Sequence, residues 1–456
     1  MSKNFTIVGA GLVGSLLSIY LSKKGYKVTA YERRPDLRKN RISAGRSINL
    51  ALSDRGWKGL EGVGIADEIK KVAIPMKGRM MHGIDGKLTY QPYGKDDQAI
   101  YSVSRGGLNC VLMDLAEKHG VNIVYNQKCT DIDLKTATVT FEETESGKTT
   151  TVKSDRVFST DGAFSSGRMQ MQTSTDRFNY SQTYLEHGYK ELTIPPTAAG
   201  EFAMDPNCLH IWPRGQFMLI ALPNMDKTFT CTLFFPFEGQ YSFASLDTEQ
   251  KMLDFFRKTF PDAFDLMPTL KEDYFQNPTS SLMIVKCYPW TYSDKMAMVG
   301  DSAHAIVPFY GQGMNCGFED CVVMNQLIDK YLGEINGDDD SAAWQKIFND
   351  YQVARKPDGD AIADLAVMNF IEMRDKTGDP KFLLQKKIEA WFSDKHPDKW
   401  IPLYSMVTYS PHIRYSEALR EGLRQESIMQ QVMRMSDIEN KWNSEDVEKK
   451  ILEFLK

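Results

Sequence analysis

The stretch FTIVGAGLVGSLLSIYLSKKGYKVTAYE, residues 5–32, decides how the chain begins. FTIV is a short apolar run that reads as a strand. LVGSLLSIYLSKKG carries apolar residues at helical spacing and closes on Gly25, and KVTAYE alternates as a second strand. Strand, glycine turn, helix and strand make a βαβ opening. Gly9-Ala-Gly11-Leu-Val-Gly14 occupies the turn. Its glycines permit a tight bend and close backbone approach, and the start of the helix offers N–H groups to a pyrophosphate. Glu32 ends the second strand, where an acid accepts from ribose hydroxyls and disfavours a 2′-phosphate. A glycine turn that merely packs helix on strand would not need that acid. The opening therefore reads as a site for FAD or NAD rather than NADP.

A single fingerprint separates those two. Gly62-Val-Gly64 lies in a helical context, and no second copy follows a strand elsewhere in the 456 residues. One fingerprint in so long a chain fits FAD held permanently, with a nicotinamide that visits.

The rest of the composition narrows the class. A net charge of −5 argues against a nucleic-acid partner, which needs a basic surface. The start MSKNFTIVGAG has no secretory pattern, and no apolar run is long enough to span a bilayer. The seven cysteines are odd in number and form no C-x-x-C pair, as expected of free thiols in a reducing cytoplasm.

Along the chain, residues 45–70 read as helical with glycine breaks, 76–93 as a hairpin, 109–119 as a helix, and 178–285 as strand-rich. Turns are expected at 213–215 and 223–226, and helices from 340 to the end. The βαβ character returns near AMVGD at 297–301, so a nucleotide domain is expected to be discontinuous.

Two further stretches carry candidate chemistry. STDGAFSSGR places Asp161-Gly162 directly after a strand, with Ser165 and Arg168 downstream. GDSAHAIVPFYGQGMNCGFEDC, residues 300–321, repeats that layout: a strand, Gly300-Asp301, then glycines and a helix beginning near Met314. Asp301 can accept from a ribityl hydroxyl, and the backbone N–H groups from Gly311 through Gly313 and Met314 to Asn315 can face a flavin carbonyl or a phosphate. The same stretch holds His304, Cys316 and Cys321, but with one histidine and no cysteine pair it lacks metal-ligand spacing. No metal is expected, and these three side chains read as scaffold.

Taken in order and spacing, Gly9–Gly14 with Glu32, Asp161-Gly162 and Gly300-Asp301 resemble the three fingerprints of the single-component FAD-dependent aromatic hydroxylases. Within them the chain is similar, over nearly its whole length, to the branch that hydroxylates kynurenine. The likeness includes GRSINLALSDRG (45–56), IPMKGRMMHG (74–83), QPYG (91–94), SVSR (102–105), HIWPRGQFMLIALPN (210–224), VPFYGQGMNCGFEDC (307–321), MNFIEMRD (368–375) and YSMVTYS (404–410). The resemblance implies that Arg79, Tyr93 and Tyr404 hold the substrate's amino-acid carboxylate, with Asn369 and Met373 at the same end. It assigns Arg105 to the flavin side, adds Leu12, Val13 and Arg33 to the cofactor contacts, and makes Pro308, Phe309 and Gly311 the wall of a peroxide pocket. Alone, Arg79 could be a solvated strand residue, the tyrosines core, and Asn369 an exposed helix position.

The fold expected is α/β: a glutathione-reductase-type FAD domain (1–75, 95–177 and 286–340), a mostly antiparallel sheet domain (76–94 and 178–285), and a C-terminal helical region (341–456). The activity implied is NADPH- and O2-dependent conversion of L-kynurenine to 3-hydroxy-L-kynurenine through a flavin C4a-hydroperoxide, within tryptophan breakdown, with or without a branch to NAD synthesis. No side chain is expected to act as acid or base. Two other readings remain: a hydroxylase of a substituted benzoate or phenol, and a flavin-binding redox sensor without turnover. The charged tail DIENKWNSEDVEKKILEFLK resembles the bacterial forms without a membrane anchor, which implies a cytoplasmic protein. A homodimer is left open.

Overall fold

The structure is a computed structural model that describes residues 3–39, 48–94, 98–333, 339–376 and 379–456. Residues 45–47 of the quoted stretch 45–56 lie outside these, as do 95–97 and 334–338 at the edges of the expected FAD segments.

The βαβ opening forms as read: strand Asn4–Val8, helix Leu12–Lys23 and strand Lys27–Tyr31, with the two strands parallel. They belong to a six-stranded sheet. Its spatial order is Thr291–Tyr292, Met296–Met298, Arg156–Ser159, Asn4–Val8, Lys27–Tyr31 and Asn122–Val124. All the pairings are parallel except the edge hairpin of the first two strands. Phe5, Ile7, Val157, Phe158, Ala297 and Met298 are buried in one core with helix Leu12–Lys23 and with a three-stranded antiparallel sheet, Gln127–Asp133, Thr138–Glu143 and Thr149–Lys153, whose Phe141 stacks on Tyr31. Asn4–Val8, Arg156–Ser159 and Met296–Met298 are adjacent and run the same way. Their carboxyl ends therefore deliver Gly9, Asp161 and Gly300 to one edge, where ligands of open α/β sheets bind.

A second sheet has seven strands, in the order Ser280–Tyr288, Asn179–Ile194, Phe229–Pro236, Met218–Pro223, Cys208–Pro213, Gly78–His82 and Leu88–Pro92. The hairpin read at 76–93 pairs Gly78 with Pro92 and His82 with Leu88. It joins the later strands through a parallel pairing of Arg79 with Leu209. Side chains alternate across this sheet. Ile211, Met218 and Phe234 face the C-terminal helices, while Trp212, Leu219, Leu233 and Phe235 face a separate core.

Two local readings change. The stretch 45–70 is not wholly helical: Leu50–Leu52 is a strand paired with Ile100–Val103, before helices Asp54–Glu61 and Ala66–Lys70. The strand-rich span 178–285 contains three helices, Glu249–Thr259, Pro261–Phe264 and Leu270–Gln276. Their Phe255, Phe256, Ala263 and Leu270 bury the outer face of the second sheet. Packing against a sheet face supplies that helical stability, and local alternation does not reveal it.

Past 340 the chain is helical. Helix Ser341–Ile371 ends in a π-helical turn, Glu372–Lys376. The tail helix Glu445–Phe454 buries Val447 and Ile451 with Phe392, Trp400 and Ile428.

Candidate functional site

The edge built by the three parallel strands is a glycine cradle. Gly9 has φ +98°, and a Cβ there would lie 2.9 Å from the Cα of Asp161. A Cβ on Gly14 would lie 2.0 Å from the Gly9 carbonyl oxygen, so neither position accepts a side chain without the loops parting. Beside Gly11 there is open space. The helix Leu12–Lys23 begins with no side-chain cap, so its first N–H groups are available to an anion. Glu32 is buried and accepts from the Ala10 N–H at 3.0 Å, which ties the acid to the glycine loop. Arg34 N–H and Nε donate to its other oxygen at 3.0 and 2.8 Å. A carboxylate offers about four lone-pair directions, so capacity for ribose hydroxyls remains.

The second and third fingerprints meet the first. Thr160 Oγ1 donates to the Gly9 carbonyl at 2.8 Å, and the Val299 N–H donates to the Ser159 carbonyl at 2.9 Å. Gly300 has φ +69°, and a Cβ there would press on Val13 at 3.1 Å. Asp161 accepts from Ser159 Oγ and, at 2.6 Å, from the Ser166 N–H, which caps helix Ser166–Ser174. Asp301 is half-buried, and its side chain has no hydrogen-bond partner among the described residues. The cradle's lack of Cβ atoms, its uncapped helix start and this unpartnered acid fit the pyrophosphate and sugar chain of FAD.

Asn315 is fully buried and locks the wall beyond the cradle. Its Oδ1 accepts from the Ser53 N–H at 3.0 Å, and its Nδ2 donates to Ala51 and Gly311 carbonyls at 2.8 and 2.7 Å. Helix Gly313–Leu332 starts without a side-chain cap, with Gly313 and Met314 at its opening. Pro308–Tyr310 forms one 3-10 turn ending at Gly311 with φ +66°. Leu12 and Val13 are half-buried beside the cradle. Arg33 and Arg105 are exposed, and their side chains make no hydrogen bond or ion pair among the described residues.

Tyr310 also belongs to a buried aromatic cluster around Arg79. The Arg79 guanidinium carbon is 5.3 Å from the Tyr93 ring centroid and 4.9 Å from that of Tyr404. Tyr93 and Tyr404 stack at 5.3 Å, and Tyr310 stacks on Tyr404 at 5.7 Å. Burial pushes the phenols of Tyr93, Tyr310 and Tyr404 above their ordinary pKa, so they stay protonated and can donate. Arg79 Nε, Tyr93 OH, Thr408 Oγ1 and Tyr409 OH are buried without a well-formed hydrogen bond, although Tyr93 lies close to Arg79 and Tyr404, and Thr408 to Tyr404; Arg79 makes no ion pair among the described residues, with Glu372 acting on it from further off. Buried polar atoms are rarely left so. A ligand carboxylate would satisfy a guanidinium and neighbouring phenols together.

Asn369 and Met373 lie one helical turn apart, and both are buried. Asn369 Nδ2 donates to the Phe309 carbonyl at 2.7 Å and meets Met373 Sδ at 3.2 Å. Phe309 stacks on Phe370 at 4.0 Å and touches Phe234 at 4.8 Å. Sequence reading did not single out Tyr310, Tyr409 or Phe370. An aromatic among apolar neighbours carries no local mark of a site.

His304 does not face either space. Its Nε2 is 2.6 Å from Asp320 Oδ2, and Arg355 Nε donates to Asp320 Oδ1 at 2.7 Å. Burial disfavours the Asp320 carboxylate, but His304 and Arg355 outweigh it and hold its pKa down at about 2. For His304, burial opposes the charge and Asp320 prevails, so its pKa is raised. His304, Cys316 and Asp320 have ligand atoms close enough for a cation, yet Arg355 reaches Asp320 at 2.7 Å and Cys316 Sγ at 3.3 Å and places its own positive charge there. All seven cysteines are free.

Known proteins agree with this geometry. A family model described as "FAD binding domain" matches residues 3–364. A kynurenine 3-monooxygenase of Flavobacterium johnsoniae is 55% identical over 454 residues, covering 100% of this chain and 99% of the relative. That of Myxococcus xanthus is 47% identical, covering 99% and 96%. That of Sus scrofa is 42% identical, covering 91% and 86%. Among solved structures, the tetrameric form of 2-methyl-3-hydroxypyridine-5-carboxylic acid oxygenase superposes with a TM-score of 0.65 at 17% identity, over 83% of this chain and 94% of that one. Pseudomonas aeruginosa PqsL in complex with 2-aminobenzoylacetate gives 0.62 at 16% identity, over 82% and 97%. At such identities these two show the fold alone.

Proposed function

The chain belongs to the kynurenine 3-monooxygenase family of FAD-dependent enzymes, and from that membership we propose that it hydroxylates L-kynurenine beside the anilino nitrogen, with NADPH and O2 as co-substrates. One oxygen atom enters the ring as a hydroxyl, the other leaves as water, and NADPH supplies the electron pair. Bound FAD supplies the electron transfer and oxygen activation. Gly9, Gly11, Gly14, Glu32, Gly300 and Asp301 would hold it. On this reading residues 1–75, 95–177 and 286–340 form the FAD-binding unit, 76–94 and 178–285 the substrate sheet, and 341–456 the closing helical region.

The chain's own residues position the substrate and exclude water. Arg79 pairs with the amino-acid carboxylate in a two-pronged geometry that lysine could not reproduce, and the protonated phenols of Tyr93 and Tyr404 donate to the same group. Asn369 fixes the backbone of Phe309, which keeps the wall of the ring pocket in place. Phe309, Phe370 and Phe234, which pack on one another, would give the ring end of the substrate an apolar wall. An aniline ring is neutral and already electron-rich, so no base is needed to activate it. Catalysis by this chain is positioning.

One observation carries the substrate assignment: Arg79 is set among phenols with its Nε buried and unpartnered. Incubation with L-kynurenine, NADPH and O2, followed by mass analysis, should show a product with one added oxygen. No such product, with NADPH oxidation stimulated by a benzoate or phenol instead, would overturn the assignment.

Among the described residues no helix is long and apolar enough to cross a membrane. The tail helix uses its apolar face on its own helical region, which supports placing the protein in the cytoplasm.

A further inference from the structure

Arg55 is almost wholly buried, yet it touches neither the cradle nor the aromatic cluster. It stands on helix Asp54–Glu61, which packs so closely on helix Gly313–Leu332 that a Cβ on Gly59 would lie 2.9 Å from Phe318 Cβ. From there its guanidinium reaches across to the short helix Leu403–Thr408. Nε donates to the Val407 carbonyl at 2.7 Å, and Nη2 donates to the Met406 carbonyl at 3.1 Å and the Ser410 carbonyl at 3.3 Å. Nη2 also donates to the Ile413 carbonyl. Met406 and Val407 belong to the last turn of the helix that carries Tyr404. Their carbonyls have no partner within the helix, and a cation there meets the negative end of its dipole. The face of the guanidinium lies 4.0 Å from the Tyr415 ring centroid.

The remaining nitrogen connects this clamp to the cofactor side. Arg55 Nη1 donates to Glu319 Oε1 at 2.7 Å, and Glu319 Oε2 accepts from Arg355 Nη1 at 2.7 Å. Arg355 Nε donates to Asp320 Oδ1 at 2.7 Å, and Asp320 Oδ2 accepts the Gly300 N–H at 3.0 Å. A continuous buried chain of charges thus runs from the Gly300 loop to the helix that presents Tyr404. Every member is paired, which is the condition under which such a network fixes one geometry.

We propose that Arg55, held by Glu319, is a positioning residue for substrate binding: it sets the Tyr404 helix in register with the Gly300 loop, so that the carboxylate subsite stands at a fixed place relative to the cofactor. This rests on the kynurenine reading above.

The test is a double-mutant cycle on the FAD-loaded protein, reading the Kd of L-kynurenine by equilibrium titration without NADPH. Arg55→Lys keeps the charge beside Glu319 but cannot reach the fan of carbonyls. It should weaken L-kynurenine roughly ten-fold while FAD content is unchanged. In a Tyr404→Phe background the same change should cost less than about two-fold, because the contact it positions is already gone. A thermal-stability loss, by contrast, should be alike in both backgrounds. Glu319→Gln serves as the second entry to the cycle if Arg55→Lys does not fold, with the same non-additivity expected. Additive effects on Kd, no effect of Arg55→Lys on Kd, or loss of FAD from both variants would overturn the inference. A wild-type protein that fails to bind L-kynurenine would instead overturn the substrate reading.

Discussion

The guanidinium carbon of Arg79 lies 4.9 Å from the ring centroid of Tyr404. The contact joins a strand near the start of the chain to a helix near its end. It exists because Gly78–His82 pairs in parallel with Cys208–Pro213, and because the sheet face that this creates is covered by the C-terminal helices. The two residues form the charged end of an otherwise aromatic cluster.

Arg79→Ala should raise the KM for L-kynurenine by roughly ten- to a thousand-fold while FAD stays bound. Steady-state kinetics and the flavin absorbance per protein measure the two quantities. An unchanged KM would remove Arg79 from the carboxylate subsite.

Tyr404→Phe keeps the ring that stacks between Tyr93 and Tyr310 and deletes the donor. The expected result is a rise in KM of roughly ten-fold, matching one hydrogen bond to a charged group, with kcat little changed. A fall in kcat at constant KM would place the hydroxyl at the reacting ring instead.

Gly14→Ala should abolish stoichiometric FAD binding, because the new methyl would meet the Gly9 carbonyl at 2.0 Å and force the cradle open. Flavin content after purification checks this. Gly11→Ala meets no atom within 4 Å in the chain, so any loss of FAD there reports a clash with the cofactor itself.

Asp320→Asn should destabilise the protein by about 3–5 kcal/mol, since it strips the partner from His304 and Arg355 in a fully buried place. Urea unfolding of variant and wild type measures the difference. A change near zero would mean that the network is not charged as described.

His210 gives the protein an acid limb. Its Nδ1 meets His82 Nε2 at 2.8 Å and its Nε2 meets the Asp205 carbonyl at 2.8 Å, and burial lowers its pKa to about 4. Unfolded, a histidine titrates near 6.5. Between those values the unfolded chain binds a proton that the folded chain refuses, so stability falls as pH drops from about 6.5 toward 4. The full effect is at most about 3 kcal/mol. Tm measured from pH 7 to 5 should decline, and His210→Gln should flatten that part of the slope.

Legibility along this sequence follows the range of the interactions. The Gly9–Gly14 turn, Glu32, the hairpin at 76–93 and the turns at 213–215 and 223–226 are local, and each could be read from its own residues. Leu50–Leu52 could not, because its pairing with Ile100–Val103 crosses half a domain. Helices Glu249–Thr259 and Leu270–Gln276 were missed because their stability comes from the sheet they cover. Arg79, Tyr93, Tyr404 and Asn369 were named by family resemblance, not by any physical signal in their neighbours. In the sequence Glu319 and Asp320 stand beside His304 and Cys316 as an apparent reactive cluster, and only the tertiary structure pairs them with Arg55 and Arg355 instead.

The sequence by itself determined a dinucleotide cradle and the class of group it holds. Positive φ and an open helix start are properties of a few consecutive residues. The tertiary structure alone decided that three strand ends share one edge, that Arg79 stands among phenols with no ion pair among the described residues, and that a buried chain of charges ties the Gly300 loop to the Tyr404 helix. Desolvation and pairing depend on what surrounds a side chain, and those surroundings are assembled from segments far apart in the chain.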